Sequence, residues 1–141
     1  MANPATVALL LLDRCESLII GTPRLEVAMP DVKFTPPVDE RGDPLPYLRV
    51  SFFSNAPAWE GLADGRMDMG LLQITVVWPE RAGIIRQREV AQVVMSAFPK
   101  GHVLHGHDGT RVKFNRAPWA ASPLLGDKST ETPITISWTA A

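Results

Sequence analysis

The sequence predicts an α+β fold: a mainly antiparallel sheet, two amphipathic helices on one face of it, and an extended proline-rich arm over residues 24–46. Three observations lead there. Tyr47–Phe53 and Met69–Trp78 are rich in β-formers and alternate apolar with polar positions, the pattern of a strand that buries one face. Pro4–Ile20 and Gly83–Phe98 instead repeat apolar residues at the helical period. Arg24–Pro46 carries prolines at 30, 36, 37, 44 and 46, which remove ladder donors and keep that stretch at an edge or on the surface.

Taken in chain order, Asn3 followed by Pro4 opens the first helix, because Asn caps free N–H groups and Pro loses no needed hydrogen bond in the first turn. Val7, Leu10, Leu11 and Leu18, with Cys15 beside them, form its apolar stripe. Asp13, Arg14 and Ser17 turn to solvent, and Gly21-Thr22-Pro23 ends the helix. Within the arm, Leu25–Met29 suits a short strand and Asp39–Asp43 a turn. The first long strand places Leu48, Val50 and Phe52 on one face and stops at Ser54-Asn55-Ala56-Pro57. After a loop to Asp68, the second puts Leu72, Ile74, Val76 and Trp78 inward and closes at Pro79.

The second helix sets Val90, Ala91, Val94, Ala97 and Phe98 against Arg88, Glu89, Gln92 and Ser96, and Pro99-Lys100-Gly101 stops it. Val103–His105 and Arg111–Phe114 read as a hairpin across Asp108-Gly109, a dipeptide suited to left-handed turn conformations. Pro133–Thr139 is a final strand with Ile134, Ile136 and Trp138 on one face. At 141 residues the chain is expected to be one domain, 1–141, with a core large enough to need no disulfide staples.

Fourteen basic residues against fifteen acidic ones give no bulk attraction to nucleic acid or to an acidic membrane. The distribution is uneven: Arg81, Arg86, Arg88, Lys100, Arg111, Lys113 and Arg116 outnumber Glu80, Glu89 and Asp108 in residues 80–116. That imbalance fits charge complementarity with a neighbouring subunit or partner, and equally a solvated basic face. A single cysteine, Cys15, excludes an intrachain disulfide and fits synthesis in a reducing cytoplasm. No Lys or Arg precedes the apolar run Ala5–Leu12, and Asp13, Arg14 and Glu16 interrupt it, so neither a secretory signal nor a membrane span is expected there.

A search for chemistry returns little. His102, His105 and His107 with Asp108 are metal-ligand types, but the spacing matches no zinc pattern and strand geometry turns neighbours to opposite faces; we read a solvated hairpin. Cys15 lies on or near an apolar stripe, where a thiol is a small buried hydrophobe. Asp13 and Glu16 read as a solvated face, and Gly61–Gly70 lacks the Lys and the strand–turn–helix context of a phosphate loop. No catalytic, cofactor or metal site is assigned. The less usual residues are Phe34, Trp59 and Trp119, aromatic side chains in arms or loops, which either anchor a partner or fold back on their own sheet.

Several strings, in order and spacing, resemble the bacteriophage tail terminator family: Phe34-Thr35-Pro36-Pro37, Pro46–Ser51, Leu72–Pro79, Ala97–Gly101 and Pro133–Trp138. The resemblance spans nearly the whole chain, with Asp39–Asp43 and Leu124–Glu131 as the segments that match least. It implies a non-enzymatic virion protein, made in the host cytoplasm. Such a protein caps the head-proximal end of the tail tube as a ring, typically of six subunits, stops tube growth and presents a surface to the neck or head. It implies no cofactor, and DNA that passes through the lumen without specific binding. On this reading the interface candidates are Phe34, Pro36 and Pro37 in the arm, Trp59 and Trp119, and Arg81, Arg86 and Arg88 facing an acidic partner surface. Another neck, head-completion or tube component, a small ligand-binding domain, and a metal enzyme on the histidine cluster are the alternatives.

Overall fold

The computed structural model describes residues 2–21, 24–55, 58–59 and 66–141. Helix α1 (Pro4–Glu16) begins as its sequence requires, with the Asn3 side chain accepting the Ala5 N–H at 3.0 Å. It ends at Glu16, four residues before Ile20, for a reason that lies downstream. Arg24 folds back so that Nη2 donates to the Glu16 carbonyl at 2.6 Å and Nε to that of Leu18 at 3.0 Å, satisfying carbonyls that a longer helix would have used itself. Leu18 and Ile20 are still buried, in non-helical backbone.

Strand β1 (Glu26–Ala28) runs parallel to β2 (Tyr47–Ser54), with Glu26 opposite Tyr47. Residues 29–46 form the crossover that a parallel pair requires. They contain a turn at Met29–Val32 and a tight hairpin, Val38 bridging to Pro44, in which the Asp39 carboxylate accepts the N–H groups of Arg41 and Asp43 at 2.8 and 2.9 Å.

The sheet is otherwise antiparallel. Short β3 (Ala58–Trp59) pairs with the start of β4 (Arg66–Pro79), which lies between β2 and β9 (Ser129–Ala140); β4 and β9 are in register from Asp68 opposite Ala140 to Pro79 opposite Ser129. Helix α2 (Ile85–Ser96) follows β4, and β5 (Val103–His105) pairs with β6 (Arg111–Phe114) across the Gly109 turn, φ +86°. The side of β9 away from β4 is covered in pieces by β8 (Leu124–Leu125), β7 (Trp119–Ala120) and β6. Pro133 explains the break between β7 and β8. Its carbonyl accepts from the Ala121 N–H on that side, so its own missing N–H falls in the same gap.

One core joins helices and sheet. Leu48, Val50, Leu72, Ile74, Val76, Ile134, Ile136 and Trp138 share it with Val7, Leu11 and Cys15 of α1, Ala91 and Val94 of α2, and Phe98 just beyond α2. Phe98 meets Phe114 edge-on at 5.4 Å, and Arg14, expected in solvent, lies over both rings at 5.7 and 5.8 Å while its Nε donates to the Ala97 carbonyl at 2.8 Å. The aliphatic stem suits the apolar contact and the guanidinium suits the helix C-terminus. Gln87 is fully buried, a polar residue absent from the predicted stripe. It is satisfied at both ends, accepting from Thr132 Oγ1 at 3.0 Å and donating to the Gly83 carbonyl at 2.6 Å.

Candidate functional site

Cys15, His102 and Asp108 are engaged in structure. Cys15 is fully buried, and desolvation pushes its thiol up to about 12, so it stays protonated and non-nucleophilic near neutral pH. His102 stacks against Phe114 at 6.1 Å, and among the described residues no three His, Cys, Asp or Glu side chains gather as a ligand set. Asp108 ties the hairpin to α1: Thr6 Oγ1 donates to Oδ2 at 2.7 Å and the Thr110 N–H to Oδ1 at 3.1 Å, while the Asn3 N–H donates to Thr110 Oγ1 at 3.2 Å.

The Thr6 hydroxyl, followed by the Thr110 N–H, pulls the Asp108 carboxyl from 3.8 down to about 2. A depressed folded-state value means that the carboxylate stabilises the fold above about pH 4 and loses that contribution as pH falls through about 2. Asp108→Asn is therefore expected to lower the urea midpoint at pH 5 and to converge on the wild type near pH 2. A difference that stays constant over that range would contradict this role.

The assembly candidates fall in separate places. Phe34 is half-buried against Tyr47, ring centroids 5.0 Å apart, so this ring folds back on its own sheet. Pro36 is exposed, whereas Pro37 lines a groove of about 510 Å³ with Leu45, Trp78 and, from α2, Arg86 and Val90. The fold thus brings Pro37 and Arg86 together, a pairing that sequence spacing does not reveal.

Arg81, in left-handed backbone at φ +59°, lines a second groove of about 490 Å³ with Ile84, Leu125 and Asp127. Arg88 is exposed on α2. Helix α2 has no side-chain cap and no acid in its first turn, where Arg86 and Arg88 stand at the positive end of its dipole. This arrangement repels cations and attracts carboxylates.

Trp59 and Trp119 lie in two-residue strands rather than in the irregular loops expected, because each borrows pairing from a long neighbour, β4 or β9. The Trp59 side chain lies outside the described residues, and Trp119 is 44% exposed.

Sequence reasoning passed over Leu124 and Leu125, which β8 presents at 64% and 79% exposure. The available signal was an apolar pair between Pro123 and Gly126, a segment too short to show a period. Ile84 and Ile85 at the start of α2 add a second exposed apolar pair.

Comparison with known proteins places this architecture. No curated protein matches the chain. A solved structure 26% identical in sequence superposes with a TM-score of 0.71, covering 97% of this chain and 92% of that one. A family model described as phage tail terminator protein matches residues 6–138, from the first turn of α1 to Trp138 in β9. The chain therefore belongs to the phage tail terminator family and is a structural component of the phage tail.

Proposed function

We propose that this chain forms a ring of six copies on the head-proximal end of the tail tube, stops tube polymerisation there, and offers the joining surface for a neck or head-completion protein. The whole chain, 1–141, acts as one tail-terminator domain, with both helices behind one sheet face and the 24–46 segment reaching a neighbouring copy. The protein works without catalysis or a cofactor, and DNA crosses the lumen without specific binding. No described helix is long and apolar enough to cross a membrane.

The observation that carries this reading is the family match over residues 6–138. A head-to-tail ring also needs two different patches on each subunit. The exposed apolar residues supply material for both: Val32 and Val38 in the 29–46 crossover, and Trp119, Leu124 and Leu125 along β7 and β8. Arg81, Arg86 and Arg88 serve contacts with an acidic partner surface, and Pro36 and Pro37 stiffen the segment that Phe34 anchors to its own sheet. Native mass spectrometry over a concentration series is expected to give a discrete hexamer, and a variant lacking Asp31–Asp43 is expected to give monomer. Ring formation by that deletion variant would remove the crossover segment from the interface.

A further inference from the structure

We infer that the hairpin at residues 38–44 of one copy docks against the β7–β8 edge of the next copy, with acid meeting base around a small apolar contact. The inference rests on the ring reading and assigns its two mating surfaces.

Sheet order is the first support. Strand β1, from which the 29–46 crossover departs, is one lateral border, while β7 and β8 lie on the side of β9 turned away from β4 and β2. The two segments thus flank the β2–β4–β9 array from different sides in the strand order. They can meet between successive copies in a head-to-tail contact.

Charge is the second. Residues 29–46 hold four acids, Asp31, Asp39, Glu40 and Asp43, against Lys33 and Arg41, whereas residues 115–128, the stretch that holds β7 and β8, carry Arg116 and Lys128 against Asp127. All of these side chains are exposed. Opposite signs on the two borders steer unlike edges together and oppose the pairing of like edges.

Exposed apolar side chains occur on both borders. Val32 and Val38 are 61% and 58% exposed on one; Leu124 and Leu125 are 64% and 79% exposed on the other, with Trp119 on the adjacent strand. Among the described residues strand β8 pairs with β9 alone, at Leu124 opposite Glu131 and Leu125 opposite Thr130. The docking element is also held by internal hydrogen bonds. Asp39 accepts two backbone N–H groups and donates its own N–H to the Asp43 carbonyl at 2.9 Å, so little ordering is left to oppose association.

The test is chemical cross-linking of the full chain with a short bis-maleimide. Glu40→Cys and Leu125→Cys are introduced singly and together; both sites are exposed, and the native Cys15 is buried and does not compete. The double variant is expected to give a denaturing-gel ladder that passes beyond dimer, because each chain links at both borders, while each single variant stops at dimer. A double variant that also stops at dimer overturns the assignment. The native mass of the same uncross-linked sample separates the two failures: a hexamer without a ladder leaves the ring intact and refutes these surfaces, and a monomer without a ladder removes both. As a charge test, Glu40→Lys with Asp43→Lys is expected to raise the concentration needed for assembly about tenfold, and adding Arg116→Glu with Lys128→Glu to restore it.

Discussion

Gly70→Ala is expected to destabilise the fold by about 3 kcal/mol, at the upper end of what overpacking by one methyl costs. A Cβ at Gly70 would come within 2.2 Å of the Phe53 carbonyl oxygen and 2.5 Å of Trp138 Cζ2. Phe53 O belongs to β2, paired with β4 over eight residues, and Trp138 stands directly opposite Gly70 in β9, 2% exposed and stacked on Phe52 at 5.7 Å. Glycine is present here for close approach rather than for a special backbone angle. A domain with a typical stability of about 5–15 kcal/mol would remain folded yet lose much of its margin. Urea denaturation reads the effect directly, and an unchanged midpoint would contradict the packing of Trp138 over β4.

Trp119→Ala is expected to weaken subunit association about 30-fold, roughly 2 kcal/mol, while leaving the monomer's melting temperature within about 2 °C of the wild type. The asymmetry follows from its position. Trp119 lies opposite Thr135, on the face that alternates away from the core residues Ile134 and Ile136, and is 44% exposed. Little of its apolar area stabilises the free chain. An indole set on a short edge strand, on the same face as the exposed Leu124 further along β9, gives a neighbouring copy a large rigid surface to cover. Sedimentation equilibrium measures the affinity and circular dichroism the fold; unaltered assembly would remove Trp119 from the interface.

Strands β2, β4 and β9, both helices and the Asp108-Gly109 hairpin were legible because local pattern and tertiary role agree there. Leu72, Ile74 and Val76 alternate and are fully buried, and Ala91, Val94 and Phe98 recur at helical spacing and share the same core. Discrepancies arise where distant residues decide. The end of α1 is set by Arg24, and Arg14 is drawn from solvent by Phe98 and Phe114, 84 and 100 positions away in the chain. Gln87 enters the core because Thr132 and the Gly83 carbonyl await it.

The candidate surface was legible only in part. Composition flags Trp119 and the arginines, but Leu124 and Leu125 become a strand only by pairing with Glu131 and Thr130 of β9. For Phe34, an aromatic among prolines, the sequence leaves open a partner anchor or a ring folded on its own sheet, and the contact with Tyr47 at 5.0 Å appears only in the fold.

The most direct test of the central claim is polymerisation of the cognate tail tube protein with and without this protein, followed by electron microscopy. The account predicts that tube length stops increasing when the protein is added, with a six-fold ring at one end of each tube and none along its wall. Tubes that grow to unchanged length with bare ends would contradict it.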